Sequence, residues 1–176
     1  KNLWMGTTGN GVYCLSESKT LSQPVSKGNI TSIYEDSSKE LWIGSWEEGL
    51  YHIKTDGSIE NLHHDSMNPN SLCSNFVRSC CEDNSGDLWI GTFNGLNRYD
   101  RRTGKFHLYT ANDNSPDGLT HSSIWCIVKD KQGTLWLGTY FGGVNYFNPE
   151  YEIYTRYKVG DTEKEGLSSP IVGRMT

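Results

Sequence analysis

The sequence predicts an all-β fold in which one unit, a small antiparallel sheet, is repeated along the chain. A five-residue phrase, Leu-Trp-(Met/Ile/Leu)-Gly-(Thr/Ser), occurs at residues 3–7, 41–45, 88–92 and 135–139. Its tryptophans are 38, 47 and 47 residues apart. The surrounding segments are short, rich in Ile, Val, Trp, Tyr and Thr, and bounded by Gly, Asn, Asp and Ser, without apolar residues at helical spacing. A fixed period of this length is typical of units that bury their apolar faces against copies of themselves.

The first strand of each unit precedes the phrase. Apolar residues recur twelve and nine residues before three of the tryptophans, as expected along an extended segment. These positions are Ile30, Val77 and Ile124, and Ile33, Cys80 and Ile127. An aspartate then opens a turn in which Gly86 and Gly133 can adopt a positive φ angle, whereas Lys39 stands at the same place in the second repeat. The sequence therefore predicts a hairpin that leads into the phrase.

The phrase itself reads as the second strand. It lacks the alternation of apolar and polar residues, which indicates a strand buried on both faces. The tryptophan then fills the wedge between neighbouring sheets, and the glycine two residues later lets the next sheet approach closely. The residues predicted to have this structural role, with the turn aspartates, are Trp4, Trp42, Trp89, Trp136, Asp36, Asp83, Asp130, Gly44, Gly91 and Gly138.

Two further strands complete each unit. A Gly-aliphatic pair follows each phrase, and three repeats close with an aromatic or apolar stretch. Four strands in roughly 45 residues are what one blade of a β-propeller contains. We therefore predict a propeller segment of about four blades. Strands 2–4 of one blade fall at 1–23, full blades at about 28–62, 75–110 and 122–158, and the first strand of the next blade at about 170–176.

Because this pattern opens in a second strand and closes in a first strand, we expect a segment of a larger ring. The alternative is a four-bladed ring closed by pairing of the two ends. A segment leaves blade faces uncovered, so the rest of the propeller or a second copy of the chain is the expected partner. Alone, the segment is expected to self-associate.

Composition narrows the possible functions. The net charge is −5 and the lysines and arginines are scattered, which argues against a nucleic-acid surface. The five cysteines cannot all form disulfide pairs, because their number is odd, and none is in a Cys-x-x-Cys motif. The alignment of Cys80 and Cys126 with Ile and Ser positions of the other repeats indicates small core side chains. We predict no cofactor.

Candidate metal and catalytic groups are few. Residues 63–65, His-His-Asp, have turn composition, and a metal or catalytic cluster there is the less favoured interpretation. Residues 113–118 and 161–166 resemble the start of a calcium loop. The twelfth position, however, is Ile124 or Val172 where a bidentate Glu is needed. We predict no metal site and no catalytic residue, although a propeller lyase or hydrolase remains an alternative that fold alone does not exclude.

The loops between second and third strands carry the candidate ligand-binding residues. They combine rings, which stack on the C–H faces of sugars, with amides and carboxylates that bind hydroxyls. These residues are Trp46, Glu47, Phe93, Asn94, Tyr140 and Phe141. The competing interpretation is that the rings fill gaps between blades.

Together these repeats resemble a known family. The strings Asn-Pro-Asn-Ser-Leu at 68–72, Glu-Asp-Asn-Ser-Gly-Asp-Leu-Trp-Ile-Gly-Thr at 82–92 and Asn-Gly-Leu-Asn-Arg-Tyr-Asp at 94–100 are similar to the regulatory propeller repeat of hybrid two-component sensor histidine kinases. The resemblance implies paired seven-bladed periplasmic propellers in an inner-membrane protein, followed by a β-sandwich, a membrane helix, and cytoplasmic kinase, receiver and DNA-binding parts. It also implies glycan fragments as ligands and a homodimeric receptor.

The resemblance predicts an extracytoplasmic, non-enzymatic, ligand-sensing segment that responds to glycan fragments. The alternative is a non-catalytic propeller platform for protein docking, in surface or secretion assembly. Three features depart from the family: Lys39 replaces a turn glycine, the first repeat interval is nine residues shorter, and no kinase, receiver or helical segment is present. Only the sensing role is therefore carried over.

Overall fold

A computed structural model describes residues 2–18, 25–111, 118–160 and 166–175. Within these ranges the chain is built from fourteen strands, joined by turns and loops. The strands are β1 Leu3–Gly6, β2 Val12–Leu15, β3 Ile30–Glu35, β4 Leu41–Ser45, β5 Leu50–Ile53, β6 Ile59–Leu62, β7 Val77–Glu82, β8 Leu88–Thr92, β9 Leu96–Asp100, β10 Lys105–Tyr109, β11 Ile124–Lys129, β12 Leu135–Thr139, β13 Val144–Asn148 and β14 Ile153–Tyr157. The part of the chain that the structure describes has no helix, and so none with the length and apolarity needed to cross a membrane.

The strands form a series of antiparallel meanders. Three sheets have four strands in chain order, β3–β6, β7–β10 and β11–β14, and a two-stranded sheet pairs β1 with β2. We call these sheets blade 2, blade 3, blade 4 and blade 1, respectively. The predicted fold class, an all-β propeller of four-stranded blades, is confirmed.

The blades pack on one another in chain order through their first and second strands. The inner strands β3, β7 and β11 lie side by side, and β1 packs against β3. The phrase glycines make this approach possible. A Cβ on Gly44 would lie 2.8 Å from Cγ1 of Val77, and one on Gly91 would lie 2.9 Å from Cγ2 of Ile124. Each glycine therefore faces the first residue of the next inner strand.

The tryptophans of the phrase lie in the wedge between blades. Trp42 and Trp89 have no exposed surface. Each is covered from the next blade, Trp42 by Tyr99 and Trp89 by Phe147, with ring centroids 5.8 and 4.9 Å apart. Trp136 is only partly buried, because the described residues supply no further blade to cover its outer face.

Two of the predicted strands are not among the fourteen that the structure describes. Residues 166–175 contain none, so the strand expected at about 170–176 is absent as far as residue 175. The segment still packs on blade 4, where the Val172 amide donates to the Thr139 carbonyl at 3.0 Å. It lacks a neighbouring strand of its own sheet, which a β-ladder requires. In blade 1, the fourth strand, expected by residue 23, would fall largely at 19–24, outside the described residues.

Candidate ligand-binding face

The two ends of the blades are built from different loops. At one end lie the turns between first and second strands, 36–40, 83–87 and 130–134, which we call the turn face. At the other end lie the loops between second and third strands, 46–49, 93–95 and 140–143, which we call the loop face. Backbone hydrogen bonds tie each of these loops to the start of a first strand. The three donors are the amides of Trp46, Phe93 and Tyr140, and their acceptors are the carbonyls of Asn29, Phe76 and Ser123, at 2.9, 3.0 and 3.1 Å.

On the turn face, one contact is repeated in three blades. The indole Nε1–H donates to an aspartate Oδ2 in the pairs Trp42–Asp36, Trp89–Asp83 and Trp136–Asp130, at 2.8, 2.7 and 3.0 Å. The other oxygen of each aspartate accepts backbone amides of the turn. These residues therefore have their partners within the fold, and they hold the second strand to the turn.

On the loop face, the first strands carry a repeated irregularity. The pairing register shifts between Ile30 and Ser32, between Val77 and Ser79, and between Ile124 and Cys126. Each shift leaves one extra residue, and such β-bulges redirect a side chain away from the ladder. The three extra residues are Thr31, Arg78 and Trp125. The bulge is conserved in geometry between blades while its side chain changes in size and charge.

Arg78 and Trp125 join three of the predicted ligand-binding residues in one row. The Arg78 Cζ lies 5.0 Å from the ring centroid of Trp46 and 4.2 Å from that of Trp125. Trp125 stacks on Tyr140, with centroids 4.8 Å apart and planes 15° apart. Tyr140 contacts Phe141 edge-on at 4.2 Å. We call this set, Trp46, Arg78, Trp125, Tyr140 and Phe141, the aromatic row; it crosses blades 2, 3 and 4.

Phe93 and Asn94 lie beside the row. Phe76 connects them to it, since its ring is 5.5 Å from that of Trp46 and 6.2 Å from that of Phe93. Phe93 is 46% exposed and, together with Asn94 and His121, lines a cavity of about 470 Å³. A smaller cavity, about 290 Å³, is lined by Phe141, Thr120, Lys158 and neighbouring residues. Glu47, the remaining predicted residue, is exposed.

The row has unusual electrostatics. Within the described residues Arg78 has no ion pair and donates no hydrogen bond to a protein atom, although it is only partly exposed. Burial lowers the pKa of its guanidinium, and no nearby carboxylate opposes this effect. The Trp125 Nε1 atom is buried and has no hydrogen-bond partner. The described carboxylates thus leave this cation uncompensated.

Sequence reasoning missed Arg78, Trp125 and Phe76. Arg78 and Trp125 occupy a column of the repeat that reads Thr31, Arg78 and Trp125, within a strand whose other inward positions are apolar. This change of residue type between equivalent positions could have marked Arg78 and Trp125 as candidate ligand-binding residues. The bulge that turns these side chains toward the loop face was not predictable from the strand pattern.

Metal and thiol chemistry finds no support in the described residues. They contain no group of three His, Cys, Asp or Glu side chains able to hold a metal ion. His64 is engaged in a turn, with its amide bonded to Asn75 Oδ1 at 2.7 Å and its Nδ1 2.8 Å from the Leu72 carbonyl. The calcium-like patterns fall mainly on 112–117 and 161–165, outside the described residues. All five cysteines are free.

Comparison with known proteins identifies the repeats. A family model described as two component regulator propeller matches residues 24–47, 71–94 and 118–141. These are two-component regulator propeller repeats. Each match runs through a first strand, its turn and the Trp phrase, and ends in the loop that carries Trp46, Asn94 or Tyr140. The resemblance predicted from the sequence is confirmed. No curated protein matches the chain.

Solved structures share the fold of these two-component regulator propeller repeats at low identity. Virginiamycin B lyase from Staphylococcus aureus aligns at 17% identity over 94% of this chain and 54% of its own, with a TM-score of 0.68. PorZ, a surface component of the type IX secretion system of Porphyromonas gingivalis, aligns at 14% identity over 98% of this chain and 27% of its own, with a TM-score of 0.73. The chain thus spans about half of the lyase and a quarter of PorZ, and identities this low show the fold alone.

An extracellular domain assigned to a hybrid two component system of B. thetaiotaomicron aligns at 22% identity. The alignment covers 89% of this chain and 28% of that chain, with a TM-score of 0.38.

Proposed function

We propose that this chain is a ligand-sensing part of a hybrid two-component sensor histidine kinase, located outside the cytoplasm, and that it responds to glycan fragments bound at the loop face. The aromatic row carries the proposal, because it places rings from blades 2 and 4, with an arginine of blade 3 between them, on one face of a two-component regulator propeller. In this account the segment itself performs no catalysis. The periplasm is the proposed compartment, and a homodimeric receptor is the proposed assembly.

The composition of the loop face supports a saccharide as ligand. The C–H faces of a pyranose stack on indole and phenol rings, while hydroxyl groups need amide and carboxylate partners. Trp46 and Tyr140 supply partly exposed rings at two points of the row, and Asn94 and Glu47 supply exposed polar groups beside it. Binding across several blades would couple the ligand to the relative positions of those blades, which a sensor needs.

Calorimetric titration of the full-length protein with a panel of neutral, uronate-containing and sulfated oligosaccharides tests the proposal. We expect at least one class to bind the wild type. In the variant Trp46→Ala/Tyr140→Ala we expect that binding to weaken by about tenfold or more, since each stacking ring contributes roughly 1 kcal/mol.

Tyr151→Ala is the matched control. Tyr151 is 66% exposed and lies in the turn between β13 and β14, on the turn face, so its removal takes away an exposed ring of the same kind. Unchanged affinity is expected in this control. Binding that survives in the double variant, or a wild-type protein that binds no saccharide of the panel, would contradict the proposal and favour the protein-docking platform.

A further inference from the structure

Arg78 is the one cation of the aromatic row, and no described protein atom accepts a hydrogen bond from its guanidinium. Two indoles lie against the guanidinium, with their ring centroids 5.0 and 4.2 Å from Cζ. Stacking of this kind engages the faces of the planar group. For its N–H groups the described residues offer neither an ion-pair partner nor a hydrogen-bond acceptor.

Two other arginines of the described blades, Arg98 and Arg101, also contact tryptophan rings and allow a comparison with Arg78. Arg98 pairs with Asp87 at 2.6 Å. Arg101 pairs with Asp36 at 2.8 Å and lies 3.6 Å from Glu82. Both also lie over phrase tryptophans, so a ring contact alone does not distinguish Arg78. Arg78 differs from Arg98 and Arg101 because it contacts tryptophan rings but has no carboxylate partner among the described residues.

A second observation points to the same place. The Trp125 Nε1–H is buried without an acceptor, on the same indole that stacks against Arg78. A buried donor without a partner is costly, and this unsatisfied donor belongs to the indole that lies against Arg78.

We propose that Arg78, held between Trp46 and Trp125, is a carboxylate-binding subsite for the uronic acid unit of an acidic oligosaccharide. The planar guanidinium fork matches a carboxylate through two parallel N–H···O bonds. Contact with two indoles restricts the guanidinium, so less rotational freedom is lost when the ligand binds. Tyr140 and Phe141 lie next along the row, where the rings of flanking sugars would stack. This inference rests on the proposed function and specifies its ligand class.

The test compares tri-galacturonic acid with its methyl ester, which has the same sugar rings without the charge, by calorimetry on the full-length protein. We expect the acid to bind at least about tenfold more tightly than the ester, as a charge-assisted bidentate pair would give. Binding of the acid should weaken as NaCl is raised, whereas binding of the ester should not.

Arg78→Gln should remove the preference for the acid and the salt dependence of its binding. Arg78→Lys should restore only part of the preference, because a lysine keeps the charge and loses the fork. Arg102→Gln is the control, since Arg102 is exposed in the turn between β9 and β10, on the opposite face, and the substitution changes the net charge equally. It should leave the preference for the acid intact.

The outcomes separate the inference from the proposed function. If acid and ester bind equally, or if Arg78→Gln leaves the preference intact, the carboxylate subsite is wrong while a glycan-binding loop face stands. If a sulfated trisaccharide binds in place of the uronate, the assignment to a carboxylate is also wrong. If no saccharide binds the wild type, both proposals fail together.

Discussion

The two ends of the blades differ in what is repeated. On the turn face the same aspartate–indole hydrogen bond recurs in blades 2, 3 and 4, between 2.7 and 3.0 Å. On the loop face the β-bulge recurs, but the side chain it presents is Thr31, Arg78 or Trp125. A contact that every blade needs for stability is the same in each repeat. At the bulge the backbone geometry is the same in each blade but the residue type differs. The side chain at this position can therefore vary with function at little cost to the fold.

The largest expected effect contrasts a buried indole with one on the loop face. Trp89→Ala should lower the free energy of unfolding by about 3 to 5 kcal/mol, because a fully buried ring is removed and a cavity remains. Trp46→Ala should cost about 1 to 2 kcal/mol, since that ring is only partly buried. Urea denaturation of the full-length protein measures both. Equal losses of unfolding free energy would mean that Trp46 contributes as much to stability as the buried Trp89.

The next contrast lies within the turn face. Asp36 is buried, accepts the Trp42 indole and pairs with Arg101, whereas Asp130 accepts the Trp136 indole and has no arginine partner in the described residues. Asp36→Ala should cost about 3 kcal/mol, because it leaves the buried Trp42 indole donor unpaired and removes the nearer of two carboxylates from the partly buried Arg101 guanidinium. Asp130→Ala should cost about 1 kcal/mol, as for loss of an ordinary hydrogen bond near the surface. A reversed order in thermal or urea melts would refute this assignment.

The same aspartates predict a dependence of stability on pH. Burial tends to raise the pKa of Asp36, but hydrogen bonds from the Trp42 indole and the Glu40 amide, with the charge of Arg101, outweigh it and hold the pKa below its ordinary value. The pKa of Asp130 is also lowered: burial raises it, and the Trp136 indole and turn amides outweigh that effect. The stabilisation is fully present above the unfolded pKa, about 3.9, and is lost as the pH falls through the folded value.

Melting temperatures measured from pH 6 down to pH 2.5 check this dependence. The temperature should fall most steeply below about pH 4, and the fall should be shallower in Asp36→Asn, which has no charge to lose. Asp56→Asn changes an exposed turn carboxylate and serves as the comparison, with a smaller change in slope expected. An Asp36→Asn profile parallel to that of the wild type would show that this carboxylate does not contribute.

The smallest effect concerns a turn residue that departs from the repeat. Lys39 adopts a φ angle of 66°, where Gly86 and Gly133 have 91° and 90°. Positive φ is unfavourable for a residue with a Cβ, so Lys39→Gly should raise the free energy of unfolding by up to about 1 kcal/mol. The ion pair of Lys39 with Glu35 is exposed and offsets little of this gain. Lys39→Ala loses the ion pair but keeps the strain, and it should not stabilise the protein.

Much of the fold was readable from the sequence, and less of the site. The phrase, the turn aspartates and the glycines predicted which residues lie between blades, because close packing repeats the same residue types wherever it repeats the same geometry. The lower burial of Trp136 could not be read from the phrase, since it depends on whether a neighbouring blade covers the ring. The aromatic row escaped prediction because Trp46, Arg78 and Trp125 come from three blades, and only the bulges bring them together.

Hydrogen–deuterium exchange of the full-length protein, with and without a saturating oligosaccharide, tests most directly whether the loop face binds ligand. We predict that the ligand slows exchange at 46–49, 76–79, 93–95, 123–126 and 140–143, which surround the aromatic row. Exchange in the turns 36–40, 83–87 and 130–134 should stay unchanged, because they lie at the opposite end of the blades from the proposed ligand. Protection confined to the turn face, with the loop face exchanging as in the free protein, would contradict the account.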